Sequence, residues 1–372
     1  MKKRVSLVTG ATGFIGKRLV KALLEQGHDK IYLLVRSSSF WKAEKLVGQL
    51  SRTFPDAGER LVPIAGDITD GEVIGDRSNR STVCREVENI YHLAAKYQLG
   101  ISRDEALRAN VDGTLNLLDL ARKCKKLKCL HYVSTLAVAG NYRGLWLEEM
   151  LIEGQGFDNH YAHTKFLAEV EVREAMSEIP IAVYRPGIVV GDSVTGEMDK
   201  IDGPYYLLVP FLKLQAFTSK ISTWIPIVFP IAPGGDRIKC HIVPVDYVVD
   251  ALVYISSLNG IQGKTFSLTD PNPPTTREFI DIFCEKAGWI KPFFNVSTDP
   301  LVWFLRLPGI KELAHSLEPV TNVPVEIVHY TSYDVEYSTT NTQEALKDSG
   351  ISCPELATYA SKLLKYARKH LV

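Results

Sequence analysis

The chain has 372 residues, enough for one large α/β unit with a smaller lobe or for two domains. Lys and Arg number 43 and Asp and Glu 43, so the formal net charge is zero, and no global field favours nucleic acid or an anionic membrane. Hydrophobic residues at 45% and charged residues at 23% are ordinary for a soluble globular protein, and six dispersed cysteines without a C-x-x-C pair predict free thiols in a reducing compartment and no zinc site.

The N-terminal Met-Lys-Lys-Arg leads straight into a predicted strand, Val5–Thr9, which a glycine turn ends at once. That apolar run is too short for a signal peptide, and no run reaches the ~20 residues of a membrane span, so a cytoplasmic location is expected. The turn reads Gly10-Ala-Thr12-Gly13-Phe14-Ile15-Gly16 and opens a predicted helix, Ile15–Gln26, with Gly27 placed to end it. Gly10 permits the tight turn, Gly13 lets a phosphate approach the backbone, and Gly16 lets the helix pack closely. The backbone amides at the helix start favour a pyrophosphate, so Gly10, Thr12, Gly13, Phe14, Ile15 and Gly16 are expected to line a dinucleotide.

Further strands are predicted at Ile31–Val35, Leu61–Ala65, Ile90–Leu93, Leu130–Ser134 and Ile181–Tyr184, with helical stretches between them such as Ala106–Cys124. This alternation predicts a doubly wound parallel sheet whose ligand lies beyond the strands' carboxyl ends. The second strand ends in Arg36 rather than an acid, which suits a 2′-phosphate and hence NADP(H) over NAD(H). Asp67 and Ile68, after the third strand, are placed to touch the adenine, and Ala94 and Ala95, after the fourth, leave room for ribose.

Ser134 and Thr135 close the fifth strand, and Tyr161-Ala-His-Thr-Lys165 follows a helix start capped by Asp158 or Asn159 and running to about Ser177. Tyr161 and Lys165 fall one turn apart on one helix face, continued by Ala168, Val172 and Met176. A neighbouring ammonium favours the phenolate and brings Tyr161 into range as a general acid or base, while Lys165 can also hold the nicotinamide ribose. Thr135, with Ser134 as the fallback, is the expected second donor to a substrate oxygen. Asn110 either binds a water behind Lys165 or braces the sheet, and His163, on another helix face, reads as structural.

After Gly191 the texture changes: 191–237 is rich in Gly, Pro and aromatics, 238–270 returns to αβ texture, and the remainder is mostly helical and irregular. The expected division is a nucleotide-binding domain over 1–190 and 238–270 and a substrate lobe over 191–237 and 271–372. A helix start is expected near Thr276. Residues 205–233 carry Leu207, Leu208, Val209, Phe211, Leu212, Phe217, Trp224, Ile225, Ile227, Val228 and Phe229 and no acid, while Pro210, Pro226 and Pro230 argue against one continuous helix. This stretch either lines an acyl pocket, rests on a membrane with Lys213 and Lys220 near headgroups, or is core beneath a cap. Cys240, near the site edge, reads as a buried strand residue.

Together, Gly10-x-x-Gly13-x-x-Gly16, His-Leu-Ala-Ala95, Asn110-Val-Asp-Gly-Thr, Ser134-Thr135, Tyr161-x-x-x-Lys165 and Tyr-Arg185-Pro186-Gly187 resemble extended short-chain dehydrogenases/reductases. The segment from Arg185 to Tyr206 is similar to the fatty acyl-CoA reductase and thioester reductase branch, above all to the N-terminal reductase domain of bacterial fatty acyl-CoA reductases. The resemblance implies a Rossmann fold, NADPH, and reduction of a long-chain acyl thioester, a fatty aldehyde, or both. It also places Pro186, Gly187 and Ile188 beside the nicotinamide. The competing expectations are a hydroxysteroid dehydrogenase, a nucleotide-sugar epimerase or dehydratase, and a non-catalytic NADP(H)-binding regulator. The expected partner is a small apolar acyl or aldehyde substrate and not nucleic acid; peripheral membrane association and a homodimer are both allowed.

Overall fold

The structure is a computed structural model that describes residues 4–97, 101–199, 203, 205–221, 227, 231–233, 236–296 and 334–372. Seven parallel strands form one sheet: β1 (Val5–Thr9), β2 (Lys30–Val35), β3 (Leu61–Ala65), β4 (Asn89–His92), β5 (Cys129–Val133), β7 (Ile181–Pro186) and β11 (Thr265–Leu268). Their order is β11-β7-β5-β4-β1-β2-β3. The chain runs outward from β1 to β3, then crosses back to β4 and proceeds the other way. This reversal between β1 and β4 opens the crevice at the strands' carboxyl ends where such sheets bind ligands. Each strand buries both faces, as a sheet covered by helices on both sides requires. Leu7, Tyr32, Ile90, Leu130 and Tyr132 face one core, and Val8, Leu33, Tyr91 and Val133 the other, following the two-residue period of a strand.

The longer helices among the described residues are α1 (Phe14–Glu25), α2 (Phe40–Leu50), α3 (Arg77–Glu86), α4 (Gly113–Arg122), α5 (His160–Glu174), α6 (Tyr205–Ile221), α7 (Val245–Ser256), α8 (Thr276–Ala287), α9 (Thr340–Leu346) and α10 (Leu356–His370). Leu19, Leu23, Val248 and Leu252 of α1 and α7 cover one face; Leu117, Leu118, Ala168 and Val172 of α4 and α5 cover the other. The stretch expected to be one helix over Ala106–Cys124 is interrupted. A single turn, Arg103–Ala106, passes into a π-helical segment, Leu107–Asp112, before α4 begins.

Short strands lie outside the main sheet: β6 (Gly144–Trp146) with β13 (Val335–Tyr337), β8 (Ile188–Val190) with β10 (Ile242–Pro244), and β9 (Ile231–Pro233) with β12 (Phe294–Val296). A third core joins α6, α8 and α10 through Leu208, Val209, Leu212, Phe283, Tyr359 and Leu363. The helix α6 runs through Pro210 but ends at Ile221, and Ile231–Pro233 is a strand, so 205–233 is not one continuous helix; Pro210 removes one amide donor from α6. Pro226, Pro230, Trp224, Ile225, Val228 and Phe229, and the side chains of Leu207 and Lys220, lie outside the described residues. At the start of α8, Thr275 and Glu278 form a reciprocal capping box one residue from the predicted start.

The late chain is tied to the sheet by Glu148, which is 1% exposed. Its carboxylate accepts from the Ser267 amide on β11 and from Asn341, the Thr342 amide and the Thr342 hydroxyl at the start of α9. Burial raises its carboxyl, and those four donors act against the rise. Among the described residues no helix is long and apolar enough to cross a membrane.

Candidate active site

The glycine turn is built as its residue types require. Gly10 sits at φ +71°, and a Cβ there would lie 2.8 Å from the Ala94 amide nitrogen. A Cβ on Gly16 would lie 2.0 Å from the Gly10 carbonyl oxygen, so α1 can begin this close to the turn only with glycine at that position. Gly13 caps α1 without a side-chain hydrogen bond, and the first turn of α1 carries no acid. An uncapped helix start facing a cleft is a cradle for an anionic diphosphate, so these residues fit a dinucleotide.

The cleft in front of this turn has a volume of about 660 Å³. Gly10, Thr12, Gly13, Phe14, Ile15, Gly16, Ala95, Ser134, Thr135, Tyr161, Lys165, Pro186, Gly187 and Ile188 all line it, as the sequence grouped them. Arg36, Asp67, Ile68, Ala94 and Asn110 do not. Arg36 stands exposed after β2, where among the described residues its side chain makes no hydrogen bond or ion pair. Asp67 accepts from the Thr69 amide and hydroxyl. Ile68 packs where a Cβ on Gly113 would meet it at 2.8 Å, and the Ala94 amide donates to the Thr9 hydroxyl.

Helix α5 starts on Asn159, whose side chain accepts from the Ala162 amide. It delivers Tyr161 to the cleft, edge-on to Tyr97 with ring centroids 4.6 Å apart. One turn on, Lys165 is 3% exposed and donates to the Tyr132 hydroxyl at 2.8 Å and to the Val133 carbonyl at 2.9 Å. Burial pulls its ammonium down to about 7, with the Glu169 charge acting against that fall. The adjacent β5 end separates two hydroxyls. Ser134 donates to Glu169 at 2.5 Å, whereas the Thr135 oxygen accepts from the Ala137 amide, which leaves the Thr135 proton free to donate into the cleft.

Asn110, expected either to bind a water behind Lys165 or to brace the sheet, bonds a loop and a helix among the described residues. The residue is 2% exposed, accepts from the Lys96 amide at 2.7 Å and donates to Thr164 at 3.0 Å. The π-helical segment carries it inward, where it ties the loop after β4 to α5. His163 stacks on Phe157, with centroids 5.3 Å apart, and burial lowers its imidazole. Cys240 lines the cleft beside Thr276, and burial pushes its thiol up to about 11, so it is a thiol and not a thiolate near neutrality.

Several further residues, not among the sequence candidates, build the site. Tyr132 and Glu169 flank Lys165, and Phe157, Met198, Tyr206, Phe279, Ile280 and Tyr337 furnish much of the cleft beyond Thr135 and Tyr161. Tyr132 and Ser134 share one face of β5, and Lys165 and Glu169 one face of α5, a pairing the two periodicities do encode. The cleft residues from the later chain carry no local mark. The apolar run beginning at Tyr205 divides differently: Leu208, Val209, Leu212 and Ile227 are buried in the third core, and Tyr206 faces the cleft.

The sheet, the glycine turn and the Tyr-Lys helix define an extended short-chain dehydrogenase/reductase. Residues 8–252 match the NAD-binding family described as Male sterility protein, and the chain belongs to that family. Fatty acyl-CoA reductase 1 of Xenopus laevis is 26% identical over 68% of this chain and 55% of its own length. Nonribosomal peptide synthetase asaC of Aspergillus flavus is 28% identical over 92% of this chain and 34% of its own length. The terminal R domain of the myxalamid PKS-NRPS pathway superposes with a TM-score of 0.79 at 26% identity, over 100% of this chain and 92% of that one. The chain thus spans about half the length of the fatty acyl-CoA reductases it matches.

Proposed function

We propose that this protein is an NADPH-dependent reductase of a long-chain acyl thioester, a fatty aldehyde, or both, with Tyr161 as general acid. The observation that carries the reading is one cleft joining an uncapped glycine-rich helix start to Thr135, Tyr161 and Lys165 and continuing between apolar walls. The sequence similarity to fatty acyl-CoA reductases and to a terminal reductase domain supports the same class. When bound, the reduced nicotinamide supplies a hydride to the substrate carbonyl carbon.

The chain's own residues manage the oxygen. Thr135, its oxygen already accepting from Ala137, directs its proton at the developing negative charge. Tyr161 gives its phenolic proton to the same oxygen. Lys165, fixed by Tyr132 and Val133, supplies positive charge behind the phenol and can hold the nicotinamide ribose. Cys240 has no part, because its protonated thiol is a poor nucleophile. The apolar walls from Phe157, Met198, Phe279 and Ile280 accept an alkyl chain.

The test follows NADPH consumption with palmitoyl-CoA and hexadecanal side by side, with products identified. Tyr161→Phe is expected to lower turnover by roughly 10²–10⁴-fold. Full turnover by that variant, or C4 substrates reduced as well as C16 ones, would overturn the proton role or the acyl site respectively.

A further inference from the structure

Behind the cleft, α5 carries a polar stripe into the core at four-residue intervals: Tyr161, Lys165, Glu169 and Arg173. The proton-transfer reading uses the first two. Glu169 is 0% exposed, and so is its partner Arg185 on β7. The Arg185 guanidinium donates to Glu169 from Nη2 at 2.6 Å and from Nε at 3.1 Å. Arg173 donates from Nε at 3.2 Å, and Ser134 at 2.5 Å. Arg185 is itself held by the Glu148 and Met150 carbonyls, so the carboxylate sits in a rigid frame.

A buried carboxylate with two guanidiniums and a hydroxyl is a costly construction that an apolar core could replace. Its location gives it work. Ser134 lies between Val133, whose carbonyl holds Lys165, and Thr135, which faces the cleft. Glu169 therefore grips the strand end that presents both groups. It is also one helical turn from Lys165. The other titratable groups near that ammonium are Tyr132 on β5, Tyr161 on α5 and His92 on β4. Burial holds Tyr132 far above its ordinary range as a neutral phenol and His92 neutral at about 3. Glu169 itself is raised by burial but lowered further by Arg185, Arg173 and Ser134, so it is anionic near neutrality.

We propose that Glu169 is the positioning residue of this site: it fixes the Val133–Thr135 strand end from behind and sets a negative charge one helical turn from the Lys165 side chain. Resting on the proton-transfer reading, this adds the group that opposes the loss of charge from its buried lysine. Arg173 and Arg185 share the carboxylate's charge, so Arg173, the more exposed of the two, acts as a trim on its effect.

The experiment reads Lys165 directly, by ¹⁵N NMR titration of protein labelled in its lysine side chains, with Lys165→Met to assign the signal. Neither substrate nor cofactor is needed. The wild-type midpoint is expected near 7. Glu169→Gln should move it down by about one pH unit, and Arg173→Met should move it up. A purely structural glutamate would lower the melting temperature in both variants and leave the midpoint where it was; that result overturns the proposal. If Glu169→Gln does not fold, Arg173→Met decides alone, an unchanged midpoint being the refuting outcome. Titrations that behave as expected in a protein that reduces no acyl substrate would refute the reductase reading and leave this one standing.

Discussion

At the scale of single residues, the candidate residues differ in how far the fold has committed them. Tyr132 and Val133 already hold Lys165, and Ser134 is consumed by Glu169, so the chemistry end is preorganised. Arg36 is different. It follows β2, beside the glycine turn in register, since Thr9 pairs with Leu34. It is exposed, and its side chain makes no hydrogen bond or ion pair among the described residues. A free guanidinium there suits a bidentate contact with a 2′-phosphate, which NADPH has and NADH lacks. Arg36→Ala should weaken NADPH binding about tenfold or more while leaving NADH binding nearly unchanged, a charged hydrogen bond contributing about 1.5–3 kcal/mol. Calorimetric titration with both cofactors checks this; an unaltered preference removes Arg36 from the site.

At the scale of elements, the close approach of α1 to β1 depends on one missing atom. A Cβ on Gly16 would stand 2.0 Å from the Gly10 carbonyl, which is backbone and cannot swing aside. Gly16→Ala should displace the helix start, cost about 1–3 kcal/mol of stability and weaken dinucleotide binding by more than tenfold. Gly48, inside α2, has nothing within 4 Å of its Cβ position, so Gly48→Ala should raise stability by about 0.5–1 kcal/mol and leave binding alone. Equal behaviour of the two alanines in denaturation and cofactor titration would contradict the packing argument. This turn was legible in the sequence, as were six strands of the main sheet to within two residues at either end, because periodicity and glycine spacing are local signals. The π-helical segment around Asn110 was not, since its residues also suit an ordinary helix. Glu148 was not either: its donors on α9 lie 193 and 194 residues further along, and nothing local announces such a pairing. The apolar stretch from Tyr205 was legible as hydrophobic but not as core or cleft, because composition does not say which face a helix turns inward.

At the scale of the whole molecule, the sheet and the turn before β2 store three histidines as neutral hydrogen-bonding groups. His28 bonds Ser6, His92 bonds Thr9 and Thr114, and His131 bonds Tyr184. Burial lowers them to about 4, about 3 and about 3. In the unfolded chain each titrates at its ordinary value near 6.5. Between pH 6.5 and about 4 the unfolded chain therefore binds protons that the fold refuses, and the histidine contribution to stability rises with pH across that window and levels off above it. Each histidine contributes about 1.4 kcal/mol per pH unit, so the three together give a slope of about 4 kcal/mol per unit. A domain with about 5–15 kcal/mol of stability loses most of it within two or three such units. Urea denaturation at intervals from pH 7 to pH 4.5 should show a slope at least this steep, since His241, lowered by burial to about 4, adds to it, and His131→Gln should reduce it by about 1.4 kcal/mol per unit. A stability that stays flat from pH 6.5 down to 4.5 would mean that these imidazoles are solvated in the fold and that the sheet is not sealed around them.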